Sequence, residues 1–286
     1  MIDPRKGETR VHSVLGHMLS SQQVVARDGS AIPLNSQISR EEGDAIQRLI
    51  RASKPRVSLE VGLAYGVSAL YICEALAEVG GTKHIVIDPY QCGAKSIDFV
   101  AGTEHTMRVG FDGLGLLNLE RAGYAGLVEF HGEPSFRALP ALERAGRRID
   151  FAFIDGWHTF DYAMVDFFYI DRLLNAGGLL VLDDTVYPAI QKLARYIASH
   201  RRYTAIDHGA GLVPTPGRRI FDTATAPLRW PPIQPIANRL FRPEVLRLDT
   251  SLGLTRAHFA AFQKIAEDVL GDGTNGSRRW DQHVEF

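Results

Sequence analysis

The stretch "LEVGLAYGVSAL", Leu59–Leu70, decides the reading of this chain. The β-rich run "RVSLEV" (56–61) stops at Gly62, and an apolar helical pattern starts at Val67 and runs to Val79. Gly62 and Gly66 stand between them, where glycine lets a backbone turn tightly and come close to a ligand. The spacing is not G-x-G-x-x-G, because Ala64 occupies the place of the middle glycine. A dinucleotide pyrophosphate needs close approach at that place. Glu60, just before the first glycine, also suits a cationic ligand better than a phosphate.

Outward from this turn, strands and helices alternate. "KHIVID" (83–88), "GLVEFHG" (126–132), "IDFAFID" (149–155) and "LLVLDD" (179–184) read as strands. Helices are expected over about Arg40–Ala52, Gly113–Ala122, Asp161–Leu174 and Ala189–Ser199. Ser39 with Glu42 forms the capping-box pattern at the start of the first of these. Such alternation predicts βαβ units, hence a doubly wound, Rossmann-like α/β fold with a seven-stranded, mostly parallel sheet. "YTAIDH" (203–208) and "RRIFDT" (218–223) read as a closing antiparallel hairpin. Three parts are expected: a helical segment 1–35, a central domain 36–225, and a proline-rich extension 226–286. The extension ends in a helix over about Arg256–Leu270 and would cover the site or build a homodimer or larger homo-oligomer.

The 286 residues are 45% hydrophobic and 23% charged, with formal charge -1. That balance gives no reason to expect nucleic acid or an anionic membrane surface as partner. The most apolar region, Val57–Val79, contains Glu60 and Glu74 and reads as strand, turn and helix, so no membrane span is expected. The N-terminal residues show no signal-peptide pattern, and the two cysteines, Cys73 and Cys92, form no CxxC pair. A cytoplasmic protein fits these features.

Ligands of parallel sheets bind at the carboxyl ends of the strands. Four of the expected strands end in acid there: Glu60, Asp88, Asp155 and the pair Asp183-Asp184. Asp88 lies 22 residues after Gly66, where an acid can accept both ribose hydroxyls of a nucleoside cofactor. Asp155, Asp183 and Asp184 come from neighbouring strand ends. Three carboxylates brought together repel unless a positive charge sits between them. A hard divalent cation, Mg²⁺ or another, satisfies such oxygen ligands.

The segment "ISREEGDAIQRLIRASKPRVSLEVGLAYGVSAL" (38–70) resembles the opening of class I S-adenosylmethionine-dependent O-methyltransferases of the catechol and caffeoyl-CoA group. The matching residues are Ile38, Ser39, Gly43, Glu60, Gly62, Gly66 and Ser68. The resemblance implies S-adenosylmethionine as cofactor. Its methionine part would lie on Ile38, Ser39, Ser68 and the turn Gly62-Leu63-Ala64-Tyr65-Gly66, and its ribose on Asp88. "HGEPS" (131–135) is similar to the adenine-side turn of that group, which points to Gly132, Glu133 and Ser135, with Pro134 a departure from the usual polar residue. "FIDGWH" and "LLVLDDTV" are similar to its two metal-bearing segments, with the ligands on Asp155, Asp183 and Asp184, and Asp155 also near the cofactor. The "IDG" and "DD" segments are shared with macrocin-type sugar O-methyltransferases.

His158 follows Asp155 by three residues. It could take a proton from a substrate hydroxyl, bind the cation through a D-x-x-H pattern, or cap the next helix. The catechol group has lysine at this offset and some macrolide-sugar relatives have histidine, so the base role is expected. Trp157 packs beside the adenine or anchors the loop. The expected activity is Mg-assisted O-methylation of a hydroxylated small molecule. The competing expectations are a non-catalytic S-adenosylmethionine-binding or regulatory protein of the same fold, and a nicotinamide-dependent oxidoreductase.

Overall fold

A computed structural model describes residues 4–91, 110–208, 223–240, 252–254 and 257–267. Helix α1 (Pro4–Ser21) leads into a small antiparallel hairpin, β1 (Gln23–Val25) and β2 (Ala31–Pro33). Its turn carries Asp28-Gly29, with the Ser30 N–H donating to Asp28 Oδ1 at 2.9 Å. This hairpin takes up the latter part of the segment 1–35 that was expected to be helical. Asp-Gly between two short apolar runs was its sequence signal.

Helix α2 (Arg40–Ser53) begins with the expected capping box. The Glu42 N–H donates to Ser39 Oγ at 3.2 Å, and the Ser39 N–H donates to Glu42 Oε2 at 2.7 Å. From there the chain alternates: β3 (Val57–Val61), α3 (Val67–Glu78), β4 (Lys83–Ile87), α4 (Leu114–Ala122), β5 (Val128–His131), α5 (Ser135–Arg144), β6 (Ile149–Ile154), α6 (Phe160–Leu173), β7 (Leu174–Leu182), α7 (Pro188–His200) and β8 (Tyr203–Ile206). A short helix α8 (Gln234–Leu240) and strand β9 (Ala260–Lys264) follow.

The seven-stranded sheet has the order β5-β4-β3-β6-β7-β9-β8. Its one antiparallel strand is β9, which pairs with both β7 and β8. Both faces are covered, so the central strands are largely apolar on both faces rather than alternating, with Ser58, Glu60 and His84 as buried polar exceptions. Phe151, Phe153 and Val86 pack with Ile46, Ile50, Leu70 and Leu117 on one face. Leu59, Ile85 and Leu180 pack with Leu139, Phe167, Ile170 and Leu193 on the other. The chain winds from β3 outward to β5, then returns to β6 on the opposite side of β3. The gap between the ends of β3 and β6 is therefore the switch point, where open sheets of this kind bind ligands.

One expectation about the C-terminal part is corrected, and the other falls on residues that are not described. Residues 203–206 pair with β9, through Tyr203↔Lys264 to Ile206↔Ala261. Residues 218–222 lie outside the described residues. The helix expected over about 256–270 is a strand at 260–264, so this part of the extension completes the sheet instead of lying over it. Pairing on both sides prevails over the weak helical preference of Ala, Gln and Lys. Among the described residues, no helix is long and apolar enough to cross a membrane.

Candidate active site

The turn after β3 is held from beneath by an acid of the next strand. Asp88 Oδ2 accepts the N–H groups of Leu63 (3.1 Å) and Ala64 (3.0 Å) and the Gln91 side-chain amide (3.0 Å). Its Oδ1 accepts the Tyr90 N–H at 2.8 Å. Asp88 is thus almost buried, and Oδ1 retains the larger share of free acceptor capacity. Ala64 is held in the left-handed region at φ 46, and Gly66 caps α3 at φ 84. Gly62 has φ 94, and a Cβ there would stand 2.0 Å from the Asp155 carbonyl oxygen. Only glycine lets the ends of β3 and β6 approach this closely.

The acidic end is delivered by the same sheet. The Asp155 N–H donates to the Val61 carbonyl (2.9 Å) and the Asp183 N–H to the Ile154 carbonyl (3.0 Å), so both residues continue strand ladders to the rim. Burial, with the neighbouring Asp183 and Asp184 charges, pushes the Asp155 carboxyl well above the usual range. Asp183 is pushed up to about 7, first by burial and then by Glu42 and Asp184. His158 Nε2 lies 3.2 Å from Asp184 Oδ2 and 3.8 Å from Asp155 Oδ1. Its ring stacks on Tyr187 at a centroid distance of 5.7 Å and 27° between planes. Asp184, at φ 53, begins a tight turn that is closed by the Tyr187 N–H on the Asp184 carbonyl at 2.9 Å. Thr185 locks that turn to the C-terminal segment, its N–H donating to the His258 carbonyl and its hydroxyl to the Ala257 carbonyl, each at 2.7 Å.

The turn and the acids open onto one cavity of about 800 Å³. Of the residues expected from the sequence, Ile38, Ser39, Gly62, Ala64, Ser68, Asp88, Ser135, Asp155, Trp157, His158, Asp183 and Asp184 line it. Five others are not part of the wall. Gly66 shapes the turn from behind. Tyr65 packs edge-on against Phe111 at 5.0 Å. Gly132 and Glu133 are exposed, while Pro134 and Phe136 join Ser135 in the wall. Glu60 is fully buried on the α3 side of the sheet, 3.5 Å from His84 Nε2, and His84 Nδ1 is hydrogen-bonded to Ser58 Oγ at 2.9 Å. Neither Glu60 oxygen has a hydrogen-bond partner among the described residues.

The cavity also holds residues that sequence reasoning passed over: Glu42, Tyr90, Tyr162, Asp166, Tyr187 and His258. Asp166, on α6, is 1% exposed, accepts a hydrogen bond from Ser135, and has an unpartnered Oδ1. Burial pushes its carboxyl up to about 7. An acid on the inner face of a helix that otherwise buries Ala163, Phe167 and Ile170 was the available signal.

Residues 59–185, from the middle of β3 to just past the acid pair, match the family model of a methyltransferase domain. Over these residues the chain is similar to that domain. Its Rossmann-like fold is shared with solved structures of low sequence identity. An O-methyltransferase from Bacillus cereus in complex with SAH is 19% identical with a TM-score of 0.50, over 69% of this chain and 82% of that one. Cofactor-bound Rv0187 from MTB is 16% identical with a TM-score of 0.52, over 93% of this chain and 91% of that one. At these identities the likeness is one of fold. No protein of curated function matches the sequence. Within the matched residues lie the glycine turn, Asp88, Asp155, His158 and the Asp183-Asp184 pair. Ile38, Ser39, Tyr187 and His258 come from the flanking segments.

Proposed function

We propose that the protein is an S-adenosylmethionine-dependent O-methyltransferase acting on a hydroxyl of a small molecule, with a divalent cation at the acidic end of its cavity. The observation that carries this reading is the opening of the glycine turn and of the acid–imidazole cluster onto the same cavity. The solved relatives support it: the Bacillus cereus protein is an O-methyltransferase holding SAH.

S-adenosylmethionine supplies an electrophilic methyl group when bound, and a divalent cation supplies positive charge that favours the ionised form of a hydroxyl. The chain's own residues do the rest. The turn at Gly62 and the N-terminus of α3, with Ser68 and the Ile38-Ser39 segment, receive the amino-acid end of the cofactor. Asp88 keeps the turn in shape and faces the ribose with the open side of Oδ1. Ser135, Phe136 and Trp157 flank the base. Asp155, Asp183 and Asp184 bring hard oxygens together, and a cation among them would offset the upward push that burial first, and neighbouring carboxylates second, put on Asp155 and Asp183. His158 is placed either to take the hydroxyl proton or to give Nε2 to the cation. One nitrogen cannot do both. Alignment of the acceptor with the methyl group is the main contribution left to the protein.

Calorimetry with S-adenosylhomocysteine and with NAD tests this reading. Binding of S-adenosylhomocysteine without NAD binding is expected, since Ala64 replaces the glycine that a pyrophosphate needs. The reverse result would overturn it in favour of an oxidoreductase. Methyl transfer to no hydroxylated acceptor, despite cofactor binding, would favour the regulatory alternative.

A further inference from the structure

At the acidic end Asp155, His158 and Asp184 each offer one donor atom within 4.8 Å of the others, a group that joins an imidazole to two of the three carboxylates. Two donors about 2.1 Å from one cation are separated by about 3.0 Å in adjacent octahedral positions and about 3.4 Å in tetrahedral ones. His158 Nε2 is 3.2 Å from Asp184 Oδ2 and 3.8 Å from Asp155 Oδ1, so the imidazole already stands near ligand spacing from both acids. Asp183 lies to the side of this group. It is hydrogen-bonded to Asp155 and faces Glu42.

The surroundings hold the imidazole in that place. Asp184 and Tyr187 are the two ends of one closed turn, and the Tyr187 ring stacks on His158. The same turn therefore provides one acid and the surface that orients the ring. Asp184 keeps a left-handed backbone at φ 53, a strain that tends to mark functional positions. Thr185 ties the turn to the segment before β9 by two hydrogen bonds.

We propose that His158 Nε2, Asp155 and Asp184 are the cation's ligands, that Asp183 orients Asp155 from outside, and that the site prefers a transition-metal dication such as Mn²⁺ or Co²⁺ to Mg²⁺. This deepens the reading of the acidic end as a cation site and rests on it. Imidazole nitrogen in place of a third carboxylate moves the donor set away from the all-oxygen shell that Mg²⁺ demands. Asp183 then does for Asp155 what outer-shell partners do for ligating carboxylates generally. Tyr187 is a positioning residue for the ring.

The experiment uses the whole protein, freed of metal by chelation. MnCl₂ and MgCl₂ are titrated calorimetrically, and the Mn²⁺-loaded protein is examined by pulsed electron paramagnetic resonance for coupling to ¹⁴N. Tighter binding of Mn²⁺ than of Mg²⁺ is expected, with ¹⁴N coupling that disappears in His158→Ala. That variant should lose about tenfold or more in Mn²⁺ affinity, while Asp183→Asn, which keeps a hydrogen bond to Asp155, should keep the coupling and most of the affinity. Bound Mn²⁺ without ¹⁴N coupling in the unsubstituted protein overturns the ligand role of His158 and leaves the cation site standing. Binding of neither cation removes the cation reading itself.

Discussion

Asp88 Oδ2 reaches across from the end of β4 to accept the Ala64 N–H at 3.0 Å, and so holds a left-handed alanine in the turn after the neighbouring strand. The acid at this rim shapes the turn from beneath as well as facing the cavity. In Asp88→Asn the amide oxygen can keep the bonds to Leu63, Ala64 and Gln91, and the amide nitrogen then opposes the Tyr90 N–H. In Asp88→Ala all four bonds go. Hydrogen bonds to a charged group contribute about 1.5–3 kcal/mol each, and their losses are not additive. Asp88→Ala should therefore lower unfolding stability by about 3 kcal/mol and abolish measurable S-adenosylhomocysteine binding. Asp88→Asn should lose less of both. Urea unfolding and calorimetry on the pair check this; an unaltered melt for Asp88→Ala would show that the turn does not depend on the acid.

Gly62 and Gly80 separate two effects of glycine. Both have positive φ, 94 and 80, but a Cβ at Gly62 meets the Asp155 carbonyl at 2.0 Å, whereas nothing lies within 4 Å at Gly80. Gly80→Ala should cost only the left-handed strain, about 1 kcal/mol. Gly62→Ala must also part β3 from β6 at the switch point and move Asp155. A loss on the order of 3 kcal/mol and of nearly all methyl transfer is expected. Thermal melts and turnover of the two variants provide the comparison, and equal losses would sink the close-approach argument.

Asp166 predicts a pH dependence of stability. Its folded-state pKa is raised to about 7 from 3.8 by burial. Above pH 7 the carboxyl is charged in both states, and the folded state bears the full cost of burying that charge. As pH falls from about 7 toward 4 the folded state takes up the proton first, so the cost is progressively relieved. Below that window both states are protonated. Asp166→Asn should thus be more stable than the unsubstituted protein at pH 8, by roughly 1–4 kcal/mol, with the difference vanishing near pH 4. Thermal melts at pH 8, 6 and 4 measure it; a constant difference across that range would mean that the carboxyl does not titrate there.

Most strands and helices between residues 56 and 206 were legible because both sheet faces are buried; α5 (Ser135–Arg144), with Pro140 inside it, was not expected. "LLVL" is apolar throughout and "IDFAFI" is apolar but for Asp150, and glycine or capping residues mark many of the element ends. Acids at strand ends could be counted from the sequence. Which way each side chain points could not. Glu60 alternates with Leu59 and Val61 across the sheet and turns into the core, while Asp155, one residue past its strand, reaches the rim. "AAFQK" (260–264) was illegible for a different reason. Its residues carry no clear strand preference, and the strand exists because β7 and β8 leave a gap that it fills.

That inserted strand is anchored by Lys264, which leads to the last prediction. Lys264 is 1% exposed, and its Nζ donates to the Asp171 carbonyl (2.6 Å), the Leu174 carbonyl (2.8 Å) and Glu267 Oε2 (2.6 Å). The Asp171 carboxylate, 3.8 Å away at Oδ1, also accepts the Tyr203 hydroxyl at 2.7 Å and pairs with Arg201. One ammonium thereby joins the end of α6, the start of β7 and the end of β9, on the edge of the sheet opposite the cavity. Lys264→Met keeps the length of the chain but removes the ammonium from the Asp171 and Leu174 carbonyls and from the Asp171 carboxylate, and the Leu174 carbonyl keeps the longer bond from Arg148 at 3.4 Å. Removing one partner of a buried pair costs about 3–5 kcal/mol. Glu267→Gln, at an exposed partner of the same ammonium, should cost under about 1 kcal/mol. Because β9 carries the segment that fixes Thr185, Lys264→Met should also weaken cation binding at the far edge, whereas Glu267→Gln should not. Urea unfolding and Mn²⁺ titration on both variants test this. A destabilised Lys264→Met protein with unchanged cation affinity would separate the anchor from the site.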